Sequence, residues 1–259
     1  MRDQIVTGRL FRDAQGFDSF QAACAGPVQV HRNGVLRAVT LKGTQKINGL
    51  SLKDRLEFHQ TGGIASGNLA EPSDFGGISY QGAFRLHPDG SLRNATTVYS
   101  TSAHLPRSRV TLLGQLIVDF SDMAVLIRAQ GLGDSRVVAF GRSYEIARFA
   151  TTVEGVYYLE QGTLSQDAAM RLSNKDVLLP ADTQIWFNAN HRPFLIQLPT
   201  GPTRWNGIEL LSGMRVAITD GRVTWITAPR PLSVEGIRFP PNYAIPFDIT
   251  GRLYRVPPP

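Results

Sequence analysis

His31, His59 and His87 stand 28 residues apart, and each is followed three residues later by glycine, in His31-Arg-Asn-Gly34, His59-Gln-Thr-Gly62 and His87-Pro-Asp-Gly90. A fixed period of this length means that one supersecondary unit is reused, because a unit so small cannot bury an apolar face alone. Before each histidine lies an alternating pair, Val28-x-Val30, Leu56-x-Phe58 and Phe84-x-Leu86; two residues past each glycine stands Leu36, Ile64 or Leu92. Apolar residues two apart mark a half-buried strand, whose side chains alternate between faces. Strand, glycine turn and strand together spell an antiparallel hairpin.

The unit returns in the second half. Tyr157-x-Leu159 leads to Gly162 and Leu164, Val216-x-Ile218 to Gly221 and Val223, and Ile245-x-Phe247 to Gly251 and Leu253. Ile185-x-Phe187 also fits, but His191 fills the glycine position, so that turn is expected to differ. A second element recurs 15 or 16 residues after the turn position: Ile47-Asn-Gly49-Leu, Phe75-Gly-Gly77-Ile, Trp205-Asn-Gly207-Ile and Val234-Glu-Gly236-Ile. It reads as a short strand with a bend that leads to the next hairpin. Between Gly90 and Gly162 the pattern blurs. There Val118-x-Phe120 and Val137 to Phe140 read as worn strands, and 112–127 as two longer strands or a short helix.

These features predict an all-β chain of antiparallel β-hairpin repeats of 28–30 residues, forming a solenoid or curled sheet. It is expected to be a single repeat domain over 1–259, with N-terminal repeats at 28–98, an irregular middle at 99–152 and C-terminal repeats at 153–256. Single all-β domains reach this length. The 25 glycines and 16 prolines are spread as turn punctuation. No apolar run approaches the roughly 18 residues of a membrane span, and Asp3, Arg9, Arg12 and Asp13 break up any leader-like apolar start. A cytoplasmic location is expected. One cysteine, Cys24, cannot form an internal disulfide.

Net charge is +6, and four of the 27 basic residues are lysines. The arginines are scattered rather than clustered, so a basic solvated surface is expected and nucleic acid is not. The histidines do not suggest a metal. Alternation places His31, His59 and His87 on the polar face at turn mouths, where capping of local backbone is the expected role. Successive units lie at least two strand spacings apart, roughly 10 Å, too far for nitrogens that must approach zinc to about 2 Å. His104 falls outside the register. Nucleophile triads, phosphate loops and Cys-x-x-Cys pairs are absent, so no cofactor is expected.

The polar-face positions change character along the chain. Gln29, Glu57 and Arg85 occupy them early, and Tyr158, Trp186, Ala217 and Pro246 later. Tyr158 and Trp186 come from consecutive units and are expected side by side on a wet face, which signals an interface or a ligand wall, or else cover by the irregular middle. Trp225, two residues after Val223, and Trp205, in the slot of Ile47, Phe75 and Val234, read as core.

The leading expectation is a non-catalytic binding or scaffold protein. It would meet a protein partner, a second copy or a hydrophobic small molecule through Tyr158, Trp186 and Tyr243. The alternative is a metal-independent isomerase, cyclase or lyase, with those aromatics lining a pocket enclosed by the curled sheet. His191 or Asp220 would then move the proton, His191 being singled out because it breaks the local rule. A third possibility is an anionic polymer bound through the arginines.

The unit of apolar-x-apolar, turn, Gly-x-apolar resembles the bacterial β-hairpin repeat proteins of a broadly MORN-like kind, over residues 28–98 and 156–256. The resemblance implies an elongated or curled antiparallel sheet that serves binding or scaffolding. The likeness lies in the design of the unit, since the Tyr-x-Gly-x-Trp core is absent, and no functional residue is carried over.

Overall fold

The computed structural model describes residues 4–12, 16–47, 49–75, 77–99, 102–104, 110–152, 157–173, 175–199, 203–205 and 207–254. Among these residues no helix forms, and all regular structure is strand. The chain divides into two compact units, Met1–Ala103 with Leu112–Ser135, and His104–Thr111 with Arg136–Pro259.

The first part of the chain holds β1 (Gln4–Arg12), β2 (Gly16–Cys24), β3 (Gln29–Val30), β4 (Leu36–Thr40), β5 (Gln45–Ile47) and β6 (Leu50–Phe58). After these come β7 (Ile64–Phe75), β8 (Ile78–Leu86), β9 (Leu92–Thr97), β10 (Ser102–His104), β11 (Val110–Leu113), β12 (Leu116–Phe120) and β13 (Leu126–Gly131). In the first unit β1 and β2 form a hairpin. An antiparallel series runs β3-β4-β6-β7-β8-β9-β12-β13, and β5 lies beside β6 as well.

The second unit continues with β14 (Arg136–Ala139), β15 (Arg142–Thr151), β16 (Tyr157–Leu164), β17 (Ala168–Leu172), β18 (Lys175–Leu179), β19 (Gln184–Phe187) and β20 (Pro193–Gln197). It ends with β21 (Thr203–Trp205), β22 (Ile208–Leu210), β23 (Arg215–Thr219), β24 (Arg222–Thr227), β25 (Leu232–Val234), β26 (Ile237–Phe239) and β27 (Ile245–Pro246). Its series runs β14-β15-β16-β19-β20-β23-β24-β27, again antiparallel throughout. Three side hairpins, β17-β18, β21-β22 and β25-β26, are inserted at alternate links. Within neither unit does a described pairing join the first strand of the series to the last, so no closed barrel forms among the described residues. The described residues of the region expected to be irregular, 99–152, are largely strand.

Rows of directly opposed residues build the core. In the first unit Gly67, Phe84, Ala95, Val118 and Ala129 stand side by side across five strands, all buried. In the second, Gly162, Ile185, Ile196, Val216, Ile226 and Ile245 do the same. Each of these isoleucines and the valine is 0–1% exposed. The two glycines answer to aromatic neighbours. A Cβ at Gly162 would stand 2.4 Å from the Tyr144 ring, and one at Gly67 would stand 2.9 Å from Phe84. Gly162, expected as a turn glycine, therefore lies inside β16, where it makes room for a ring. Val28-x-Val30 departs from the buried pattern too, since Val30 on the two-residue β3 is 58% exposed.

Among the described residues one turn geometry recurs six times. The first residue's N–H bonds the carbonyl four residues on, and the fourth residue's N–H bonds the first carbonyl. It occurs at 31–35, 59–63, 87–91, 121–125, 188–192 and 248–252, with all twelve bonds between 2.7 and 3.0 Å. This is the hairpin loop whose last residue is left-handed. Gly34, Gly62, Gly90 and Gly251 supply that conformation without strain, whereas Ala124 (φ 56°) and His191 (φ 57°) hold it at a cost. The His191 turn thus does not differ from the glycine turns. Asp248 braces the last of them by accepting from the Thr250 hydroxyl and from the Thr250 and Arg252 amides, at 2.7, 2.8 and 3.0 Å. The Thr250 hydroxyl above all holds that carboxyl below its usual range. The elements read as bends are tight hairpin turns: Glu235-Gly236 has two consecutive positive φ angles, 50° and 81°. Asn48, Gly76 and Asn206 of the equivalent turns lie outside the described residues.

The 28-residue histidine period has a lateral cause. His31 Nε2 donates to Phe58 O at 2.9 Å, His59 Nε2 to Leu86 O at 3.2 Å, and His87 Nε2 to Phe120 O at 3.0 Å. Each acceptor is the residue just before the first position of the next turn, whose occupant is His59, His87 or Ser121. The rings therefore tie one hairpin to the next rather than capping their own backbone.

Replacing His59 by alanine removes one such bond and strands a part-buried carbonyl, so unfolding in urea should lose about 1 kcal/mol. Ala124→Gly should raise stability by roughly 1 kcal/mol and Gly62→Ala should lower it by a similar amount. A neutral Ala124→Gly would show that the turn carries no left-handed strain.

Candidate functional site

The first five turns of this kind are each followed by a skipped residue on the returning strand. Val30 faces Leu36 while Gln29 faces Ala38, which leaves Arg37 unpaired. The same skip falls at Ala65, Arg93, Ile127 and Phe194, and also at Thr224 after the tight turn at Asp220-Gly221. Such a β-bulge moves the rest of the strand by one residue and so exchanges its faces.

The register that results builds a second row on the opposite face of each series. In the first unit it contains Glu57, Ser66, Arg85, Asn94, Asp119 and Arg128. These side chains bond one another. Ser66 Oγ donates to Glu57 Oε2 at 3.1 Å, Asn94 Nδ2 to Asp119 Oδ1 at 2.7 Å, and Arg128 lies 3.5 Å from the same aspartate. In the second unit the row runs Arg148, Gln161, Trp186, Leu195, Ala217, Trp225 and Pro246. Trp186, Leu195, Trp225 and Pro246 are half-buried, and Phe194 at the neighbouring bulge is 44% exposed. A polar row lies alongside: Thr163, Gln184, Gln197, Arg215 and Thr227.

Trp186, Ala217 and Pro246 thus share one row, as their spacing suggests. Trp225 joins them instead of the core, because the skip at Thr224 reverses its face. Trp205 is core, 1% exposed and edge-on to Phe247 at 5.0 Å. Tyr158 does not stand beside Trp186. The skip at Glu160 on β16 puts Gln161 opposite Trp186, while Tyr158 faces Ala150. Tyr158 instead meets His191, edge-on at 6.4 Å, and His191 in turn lies against the Phe140 ring at 4.1 Å. Asp220 sits in an exposed turn with φ 50° and pairs with Arg192 at 3.2 Å. Tyr243 stacks on Phe239 at 5.6 Å. Of the five candidate residues, Tyr158, His191 and, through Arg192, Asp220 meet at the 188–192 turn, while Trp186 stands in the row and Tyr243 lies beyond a side hairpin.

Leu195, Gln161 and Trp225 were not legible as site residues by strict alternation. Their signal is a spacing of three on the returning strand, as in Leu92/Ala95, Leu126/Ala129 and Val223/Ile226, which marks the skip.

A cleft of about 560 Å³ opens in the second unit between residues of β22, β25 and the closing turn, lined by Ile208, Glu209, Leu232, Val234, Phe247 and Arg252 among others. It takes no lining from Tyr158, Trp186, His191, Asp220 or Tyr243. Among the described residues no group of three or more His, Cys, Asp or Glu could hold a metal ion. No helix is long and apolar enough to cross a membrane. The chain matches no protein-family model and no curated protein.

Burial governs the phenols below the face. It pushes Tyr80 and Tyr144 up to about 12, and Tyr157, stacked on Phe149 at 5.2 Å, higher still. A phenol whose folded pKa is raised stabilises the fold fully below its unfolded value of about 10, and that contribution is lost as pH rises toward the folded value. Unfolding free energy should therefore decline between about pH 10 and 12. Tyr144→Phe should flatten the decline; an unchanged pH profile would assign it to other groups.

Proposed function

We propose that this chain is a hairpin-repeat binding or scaffold protein, built in the MORN-like manner, whose second unit recognises a protein through the row Trp186, Leu195, Ala217, Trp225 and Pro246. The observation that carries the reading is the contrast between equivalent rows. The first unit fills its row with side chains that satisfy one another, through Glu57–Ser66 and Asn94–Asp119. The second fills its row with apolar groups on a face that water reaches. Half-buried indoles gain more from being covered by a partner than any other side chain in the row. The turns at 188–192 and 248–252 and the Ser173 link to Gly221 and Val223 support a rigid scaffold behind the row, which lowers the ordering cost of binding.

Trp186→Ala and Trp225→Ala should each lower unfolding free energy by less than about 1.5 kcal/mol, while Ile196→Ala in the inner row should cost about 2–5 kcal/mol. Chemical denaturation of the three variants decides the matter. Should Trp186→Ala cost as much as Ile196→Ala, the residue is core and the reading fails.

A further inference from the structure

The same face carries a charge pattern that narrows the partner, and the inference rests on the binding reading above. Arg148 ends the apolar row, Arg215 stands in the polar row beside it, and Arg222 lies opposite Thr219 at the turn side. All three are exposed. Among the described residues Arg215 Nε donates to an amide oxygen, Gln197 Oε1, at 3.3 Å. No carboxylate stands in either row. Of the carboxylates close in sequence to the rows, Glu145 and Glu160 sit at bulges of the β15–β16 pair, Asp182 and Asp248 lie two residues from Gln184 and Pro246, and Asp220 pairs with Arg192.

We propose that the partner is a protein surface with an apolar centre and an acidic rim. A centre of indole and aliphatic groups ringed by arginine is the anatomy of a protein interface, and tryptophan and arginine dominate its binding energy. Guanidinium forks match carboxylates in pairs. A second copy of this chain fits poorly. A two-fold interface sets the same patch against itself, which would bring uncompensated arginines together. Single-stranded nucleic acid also fits poorly. Trp186 and Trp225 are three strand steps apart, roughly 14 Å, and Leu195 and Ala217 fill the interval where a backbone would need cations.

The test uses the full chain and a fluorescent random copolymer of glutamate and tyrosine, which combines carboxylates with apolar groups. Polygalacturonate and poly(U) serve as polyanions of other kinds. The copolymer should bind, and binding should weaken about tenfold or more between roughly 50 and 200 mM salt, as charge-driven contacts do. Trp225→Ala and the double variant Arg215→Gln/Arg222→Gln should each lose at least roughly tenfold in affinity. The arginines are exposed, so the double variant tests the idea even if Trp225→Ala folds badly. No binding, equal binding of all three polymers, or binding indifferent to these substitutions overturns the acidic-partner assignment. Concentration-dependent dimerisation of the wild type that Trp186→Ala abolishes would also overturn it, yet would leave the row as an interface. A core-sized stability loss in Trp186→Ala would remove both.

Discussion

A single residue skipped after five of the recurring turns, and again after Asp220-Gly221, decides what each series of strands presents on either face. The left-handed residue that closes the turn and the bulge beyond it are coupled, since the turn's right-handed bend is continued by the extra twist that the bulge adds. Because side chains alternate with period two, the skip exchanges inside and outside for the rest of the strand. Val223 and Ile226 are both buried and Trp225 is not, for this reason alone. Without the skip at Thr224, the tryptophan would enter the core and Ile226 would face water.

Register is then carried sideways. Backbone pairing supplies most of it, and in the first unit the histidines add a side-chain link from each turn to the hairpin after it. The link also explains its own end: beyond His87 the next turn opens with Ser121, whose hydroxyl accepts from its own loop amide at Val125. In the second unit Asn188 and Asp248 open the corresponding turns, and they brace their own loops through 190, 192, 250 and 252. Lateral linkage there passes in part to a side hairpin, where Ser173 N donates to Gly221 O at 2.8 Å and Ser173 Oγ accepts from Val223 N.

With the scaffold set this way, composition can change on one face without disturbing the other. The inner rows of both units are apolar and tightly filled, down to the glycines under Tyr144 and Phe84. The outer rows are free to differ, and they do, bonded polar groups in one unit and half-buried aromatics with arginines in the other. The proposed binding role rests on that freedom. His191 is strained and lies between Phe140 and Tyr158, but Asp220 is engaged with Arg192 at an exposed turn.

The sequence by itself determined the all-β class, the hairpins and most turn positions, because alternation and left-handed glycines are local properties of the chain. It also marked Trp186, Ala217 and Pro246 as equivalent positions, since each stands between the two apolar residues that lead into a turn. Only the tertiary structure decided that Leu195 and Trp225 belong with them, that Tyr158 does not, and that Gly162 is a strand residue beneath a ring. Each of these depends on a bulge or a cross-strand neighbour, and neither leaves a period-two trace in the chain. The histidine spacing is the clearest division between the two. Its regularity is plain in the sequence, but its reason is a carbonyl 27 or 33 residues away, which only pairing brings within reach of the ring.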